Sequence, residues 1–180
     1  KLMAEFAVNL GKSTDYKSVF LSVSRRINAA LYMSRTAVLT PVSGPISMSV
    51  SMSDQGAKLG QAMPNVFSAA VLQGYPPNEE KILMEQHILV EPELLDPSNP
   101  VLITGADSPN RLASFRKLLG LPYLIAAPVY LDNNVVAILV TGRTMEQLPF
   151  MPPLGASDVE TVQTVSAYLA AMLVGQRFME

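Results

Sequence analysis

The chain has 180 residues, of which 49% are hydrophobic and 16% are charged. This length fits one domain, and the composition excludes intrinsic disorder, which requires low hydrophobicity together with high net charge. Thirteen basic against fifteen acidic residues give a formal net charge of −2, so the basic excess that nucleic-acid-binding domains use to neutralise phosphates is absent. With no cysteine and a single histidine, the sequence offers no disulfide, no thiolate nucleophile and no ordinary zinc or iron–sulfur site.

We expect the chain to be a fragment of a longer protein. It starts at Lys1, and no pattern of basic, apolar and small residues follows that would mark a signal peptide. We interpret residues 1–12 as a linker or cloning remnant and residues 13–180 as one domain. The longest apolar stretches, at residues 123–131 and 135–140, are far shorter than the ~20 residues that span a bilayer, so we expect this fragment not to insert into a membrane.

The first predicted element is a helix that begins near residues 13–15, where Ser, Thr and Asp supply N-cap chemistry. Apolar residues then recur every three or four positions, which defines one helix face: Tyr16, Phe20, Val23, Ile27 and Leu31. A second strip is small or polar and consists of Ser18, Ser22, Arg25 and Ala29. This strip either faces solvent or lets a second helix approach closely.

Two strands joined by a tight turn are predicted next. Residues 35–42 are rich in β-branched types, and Ser43-Gly44 marks the turn. Residues 45–53 alternate between apolar residues and serine, which is typical of a half-buried antiparallel strand. The serine row faces either solvent or a cavity, where its hydroxyls would meet a polar ligand.

Residues 54–99 are predicted to form a long irregular excursion. Pro64 opens one short helix that Gly74 ends, and Asn78 caps a second helix that extends to His87. A compact domain seldom carries about 45 residues of weak structure unless they serve as a lid or binding loop. A passive insertion is the alternative.

The C-terminal half is predicted as strand, helix, two strands and helix. Residues 101–104 form the short strand, and Ser108 caps the helix that follows. Residues 123–131 and 135–141 are apolar on both alternating sets, so we expect strands that are covered on both faces. Pro128 requires an edge or a bulge there, because it has no N–H to donate.

The last helix is predicted to begin with a capping box. Ser157 is the cap, and Glu160 stands at the third helical position, so each side chain can accept a hydrogen bond from the other's backbone N–H. An apolar face then follows, formed by Val159, Val162, Val165, Leu169 and Met172.

This order of elements and the end of the chain resemble a GAF domain. In that family a strand with an apolar–Pro–apolar step leads through an acidic hairpin to a second strand, and a Phe and an Asp introduce the final helix. The matching residues are Ala127-Pro128-Val129, Phe150 and Asp158, and the resemblance covers residues 13–178. It implies an α+β, PAS-like fold with an antiparallel sheet of five to six strands. The N- and C-terminal helices would lie on one face, and irregular helical connections would cover a ligand pocket on the other.

The resemblance implies a non-catalytic, cytoplasmic sensory or regulatory domain, whether or not the parent protein is anchored in a membrane. Such a domain would bind a small molecule and relay its state, through terminal helices that pair in a homodimer, to an output domain of the parent signalling protein. The alternative is a ligand-free GAF fold that serves as a dimerisation and relay spacer. Its cavity would be filled by Met48, Met63 and Met84, since methionine suits irregular gaps.

An enzyme is the third interpretation. The sequence shows no Ser/His/Asp order, no glycine-rich phosphate loop and no paired-carboxylate signature, so we expect any catalysis in another domain. No cofactor is predicted. Covalent bilin attachment requires a cysteine, and haem would require His87 as its axial ligand, whereas a lone histidine is far more often a surface or hydrogen-bonded residue.

The predicted ligand site is the strand-to-helix junction from Thr104 to Phe115. Ser108 and Asn110 would present N–H groups at the positive end of a helix. Arg111 would pair with a carboxylate or phosphate, and Phe115 would stack on the ligand. In the alternative interpretation Ser108 is only a helix cap, Phe115 is core, and Arg111 is a solvated surface charge.

Overall fold

A computed structural model describes residues 14–42, 46–47, 66–96, 98–104, 110–131, 134–144 and 154–179. The predicted linker at residues 1–12, the alternating segment after residue 47 and Phe150 lie outside these ranges. The elements in chain order are helix α1 (Thr14–Ala30), strands β1 (Arg35–Pro41), β2 (Ile46–Ser47) and β3 (Val66–Gln73), helix α2 (Pro77–Met84), strand β4 (His87–Leu89), a 3₁₀ turn (Pro92–Leu95), strand β5 (Val101–Ile103), helix α3 (Ala113–Leu119), strands β6 (Tyr123–Leu131) and β7 (Asn134–Arg143), and helix α4 (Ala156–Met179).

The strands form one antiparallel sheet in the order β4-β3-β1-β7-β6-β5, which confirms the predicted α+β class. Beside this path, Ile46 and Ser47 of β2 pair with the first two residues of β7. The predicted hairpin of two neighbouring strands is wrong over these residues. β1 pairs with β3 and β7 instead, and β2 lies on the same edge of β7 as β1.

β3 is a strand where the sequence predicts a helix from Pro64 to Gly74. Its residues 69–72 are all buried, and the strand is paired with β1 on one side and β4 on the other. A short apolar run that is covered on both faces loses the alternation by which a strand is distinguished from a buried helix. Gly74 ends the strand at φ +89°, where a Cβ would overlap the carbonyl oxygen of Ser34.

Helices cover both faces of the sheet and form two separate hydrophobic clusters. α1 and α4 contact each other and pack on one face through Phe20, Val23, Ile27, Val162, Leu169 and Leu173. α2, the 3₁₀ turn, α3 and the turn before α3 cover the other face through Leu83, Leu94, Leu95, Leu112, Phe115 and Leu119. The predicted placement of both terminal helices on one face is therefore confirmed.

Pro128 of β6 lies where one side of its strand is open. β5 pairs with residues 124–126 of β6 and stops before the proline, whereas on the other side Pro128 faces Ile138 of β7. The register also shifts next to it, between Val129 and Tyr130. The proline thus combines an edge position with a neighbouring bulge, as the missing N–H requires.

The predicted starts of α2 and α4 need correction. α2 begins at Pro77 rather than after Asn78, because proline suits the first helical position, where an N–H would have no partner. α4 begins before Ser157, with Gly155 in the capping position. The Gly155 N–H donates to Oδ2 of Asp158 at 3.0 Å, and the Gly155 carbonyl accepts from the N–H of Asp158 at 3.1 Å. The capping contact therefore uses Asp158 and not Glu160.

Among the residues that the structure describes, none of the helices combines the length and hydrophobicity that crossing a bilayer requires.

Candidate functional site

The strand-to-helix junction lies on the face of the sheet that α2 and α3 cover. Thr104 follows β5 and is partly buried, and Asn110 and Arg111 belong to the turn before α3. Phe115 lies within α3, and Ser108 lies outside the described residues. The structure therefore places four of the five predicted site residues at this junction.

The predicted start of the junction helix at Ser108 is wrong. α3 begins at Ala113, and Leu112 before it has the left-handed values φ +52° and ψ +37°. A right-handed helix does not continue through a residue of the opposite hand. Asn110 instead accepts a hydrogen bond at its carbonyl from the Ala113 N–H, at 3.3 Å. Asn110 thus lies in the turn before α3. It is not at the helix end, where the sequence predicts that it offers an N–H.

Phe115 is a core residue. Its ring is buried in the same cluster as Leu112 and Leu119, between α3 and the sheet. This position corresponds to the alternative interpretation, in which Phe115 packs in the interior instead of stacking on a ligand.

Arg111 lines an open cleft of about 240 Å³ between the 3₁₀ turn, the start of β5 and the turn before α3. Its Nη2 donates to Oε2 of Glu93 at 3.3 Å, and its Nη1 donates to the carbonyl of Leu102 at 3.2 Å. The rest of the lining consists of Asp96, Asn99, Pro100 and Val101. The guanidinium is thus held in the lining of the cleft in an ion pair with Glu93, and Asp96 adds a second carboxylate to the same lining. We call this site the Arg111 cleft.

Tyr130 connects the Arg111 cleft to the sheet. Its O–H donates to the carbonyl of Leu95, the last residue of the 3₁₀ turn, at 2.7 Å. Burial raises the pKa of Tyr130 to about 12, and the negative charge of Asp96 adds to the effect. The raised pKa therefore extends the pH range over which the phenol is protonated and can donate this hydrogen bond.

A second polar group, the Arg35 cluster, joins α2 and α3 to β1. Arg35 Nη1 lies 3.2 Å from Oε1 of Glu79 and 3.5 Å from the carbonyl of Gly120, and its guanidinium carbon stands 4.7 Å from the centre of the Tyr75 ring. The Tyr75 O–H donates to the carbonyl of Leu119 at 2.7 Å. Burial raises the pKa of Tyr75, and the charge of Arg35 partly offsets this rise. No sequence pattern indicates this cluster, because Arg35 and Glu79, like Tyr75 and Leu119, are 44 residues apart in the chain.

A second cleft, of about 280 Å³, lies beside α3 and is lined by Arg116, Lys117 and Gly120, among others. Arg116 donates to the carbonyl of Pro122 from Nε at 3.0 Å and from Nη2 at 2.6 Å. It also donates to the carbonyl of Arg111 at 3.1 Å. Arg116 therefore closes the turns at both ends of α3, which is a structural role.

Of the other predicted residues, His87 and Met84 are the ones that the structure describes, and they line neither cleft. His87 is exposed and opens β4, at the sheet edge opposite β5. Met84 is exposed at the end of α2, so the prediction that it fills a cavity is wrong, and Met48 and Met63 lie outside the described residues. Within the described part of the chain, no group of three or more His, Cys, Asp or Glu side chains could hold a metal ion.

No family model and no curated protein matches this sequence, but solved structures do. One is a methyl-accepting chemotaxis protein (residues 122 to 287), with 9% identity, coverage of 99% of both chains and a TM-score of 0.60. The blue-light-absorbing PixJ GAF domain of Thermosynechococcus elongatus has 11% identity, covers 92% of this chain and 88% of its own, and has a TM-score of 0.60. A GAF domain/HD domain protein from Geobacter sulfurreducens has 15% identity, covers 88% of this chain and 91% of its own, and has a TM-score of 0.56. With the sheet order and the two helical layers, these matches show that the chain has the GAF-domain fold.

Proposed function

We propose that this chain is a sensory or regulatory module of a signalling protein and is not itself catalytic. The matched chemotaxis protein and the blue-light-absorbing PixJ domain support this proposal, because both belong to proteins that receive signals. The placement of the cleft and of the terminal helices on opposite faces of the sheet supports it as well. An open cleft lies on one face of the sheet, and two long terminal helices that could pass on a response lie on the other.

The Arg111 cleft is the input site in this proposal. The observation that carries it is a guanidinium that lines an open, polar cleft and is held by Glu93 and by the Leu102 carbonyl. Such a preorganised cation can pair with a carboxylate or phosphate of a ligand. The ligand would change which of two arrangements of the protein is populated, provided that it binds one of them better.

The terminal helices are the output elements in this proposal. α1 and α4 contact each other, and α4 also packs on β6. The strip of Ser18, Ser22, Arg25 and Ala29 on α1 is exposed, as is Tyr168 on α4. We propose that a second copy of the chain pairs with these exposed faces, and light scattering of the full chain over a dilution series tests that pairing.

A thermal-shift screen against amino acids, organic acids and cyclic nucleotides tests the input site. A ligand at about 100 times its Kd stabilises the native state by about 2.7 kcal/mol, which corresponds to a rise in Tm of roughly 5–10 °C for a domain of this size. We expect at least one compound class to give such a rise and Arg111→Met to abolish it. Arg26→Met, an exposed change on α1, is the matched control.

The second candidate function is a ligand-free dimerisation and relay spacer. The face beneath α2 and α3 favours it, because Leu94, Phe115 and Leu119 fill that space in the described residues. A stable dimer whose Tm responds to no compound in the screen would support the spacer and contradict the sensor.

A further inference from the structure

We propose that the Arg111 cleft binds a small zwitterion, an α-amino acid, which inserts into the ion pair between Arg111 and Glu93. This inference rests on the proposed function, because it takes the same cleft as the input site. It names the class of ligand from the charges, the exposure and the size of the cleft.

The charges in the cleft are of both signs and lie close together. Arg111 Nη2 is 3.3 Å from Oε2 of Glu93, and Asp96 supplies a second carboxylate to the same lining. The carboxylate of an amino acid would take the place of Glu93 on Arg111, and its ammonium group would pair with Glu93 and Asp96. A simple anion would displace Glu93 from Arg111 without giving Glu93 a new cationic partner, and a simple cation would draw Glu93 away from Arg111 without giving Arg111 a new anion.

The ion pair is easily opened, and Arg111 stays in place when it opens. The two side chains are 36% and 46% exposed, and exposed ion pairs add little to stability. Arg111 Nη1 is held separately by the carbonyl of Leu102 at 3.2 Å. The guanidinium therefore remains positioned for the carboxylate of a ligand while Glu93 exchanges partners.

The size of the cleft also favours an amino acid. Its volume of about 240 Å³ is smaller than the roughly 300–1,000 Å³ of sites for drug-sized ligands. A nucleotide or a bilin is therefore too large to be enclosed. Pro100 and Val101 form an apolar wall along which the amino-acid side chain would lie, and Asn99 adds an amide that can donate or accept.

A chain of contacts links the cleft to the terminal helices. Glu93 and Asp96 flank Leu95, whose carbonyl accepts the hydrogen bond of Tyr130 in β6. β6 in turn packs against α4. A ligand that repositions Glu93 thus acts on the 3₁₀ turn that is bonded to the strand beneath α4.

Three probes with the same carbon skeleton test the inference on the full chain. L-alanine carries both charges, propionate only the negative one and propylamine only the positive one, and L-leucine and L-glutamine extend the series to larger side chains. By calorimetric titration we expect at least one amino acid to bind, and propionate and propylamine to bind about tenfold or more weakly. Arg111→Met and Glu93→Gln should each weaken amino-acid binding by about tenfold or more, whereas Arg26→Met should not.

Urea unfolding of the Arg111→Met chain checks that it is folded, and Arg111→Lys, which keeps the charge, supplies a second variant. Equal binding of L-alanine and propionate would overturn the inference, and so would unchanged binding to both Arg111 variants. If no amino acid binds but another compound does, and Arg111→Met loses that binding, the proposed class of ligand is wrong and the proposed input site is supported. If no compound binds at all, the proposed input site is wrong too.

Discussion

The contribution of the Arg35 cluster to the stability of the fold can be tested by removing the hydroxyl oxygen of Tyr75. Tyr75→Phe deletes the hydroxyl that donates to the carbonyl of Leu119 at 2.7 Å and leaves the ring against Arg35 unchanged. Tyr75 is buried, and Leu119 is the last residue of α3, where a carbonyl has no partner within the helix. The substitution therefore leaves the carbonyl of Leu119 without its hydrogen-bond donor, in a site with little access to water.

The expected loss follows from this geometry. A hydrogen bond of this kind contributes about 0.5–1.5 kcal/mol net, and a buried acceptor left unsatisfied costs about 1–3 kcal/mol. We expect Tyr75→Phe to lower the free energy of unfolding by about 1–2 kcal/mol, which corresponds to roughly 2–8 °C in Tm for a domain of this size.

Urea denaturation measures this difference, with the slope of the transition unchanged so that the midpoint alone reports stability. Tyr32→Phe is the matched control, because Tyr32 is 66% exposed in the turn after α1 and its loss of a hydroxyl should stay within about 0.5 kcal/mol of zero. If the Tyr75→Phe midpoint equals that of Tyr32→Phe, the hydrogen bond to Leu119 does not stabilise the end of α3.

Three further substitutions test local features of the fold. Tyr32→Gly should raise the free energy of unfolding by about 0.5–1 kcal/mol, because Tyr32 has φ +56°, which favours glycine, and is 66% exposed. Asp158→Ala should lower it by about 1 kcal/mol, because the Gly155 N–H loses its acceptor. Tyr130→Phe should reduce the fall in stability that occurs as the pH rises above 10. The pKa of Tyr130 is raised from 10.0 to about 12, so the folded state holds this proton more tightly. That stabilisation is complete below pH 10 and is lost as the pH rises through about 12, which Tm measured from pH 8 to 12 detects.

For each of these three substitutions, one outcome would contradict the explanation given above. A Tyr32→Gly chain that melts below the native chain would show that the left-handed backbone is not strained there. Asp158→Ala should be compared with Glu160→Ala, an exposed change one turn into the same helix, and equal midpoints would exclude the cap. Parallel curves of Tm against pH for native and Tyr130→Phe chains would mean that Tyr130 titrates alike in both states.

The long periodic elements could be predicted from the sequence because their burial follows a regular spacing. Phe20, Val23 and Ile27 recur at helical spacing and form the buried face of α1, as expected. β6 and β7 are apolar on both alternating sets, and both strands are covered by a helical layer on each face. The resemblance to GAF domains predicts that both terminal helices lie on one face, which the structure confirms.

The remaining features depend on partners that are distant in sequence. The sequence predicts a helix at β3 because both faces of this strand are buried, and nothing local in β1 and β2 indicates that they pair with β7 instead of each other. The start of α3 depends on a left-handed Leu112, a backbone state that the residue type does not indicate. The sequence predicts that Arg111 pairs with an anion, and the anion in the structure is Glu93, 18 residues earlier in the chain.

The central proposal is that a ligand in the Arg111 cleft is detected at the terminal helices on the other face of the sheet. Hydrogen–deuterium exchange of the full chain, with and without the compound that gives the largest thermal shift, tests this directly. We expect slower exchange in the 3₁₀ turn and α3 together with a changed rate in α4, and loss of both effects in Arg111→Met. Slower exchange at the cleft with an unchanged α4 would contradict the proposal.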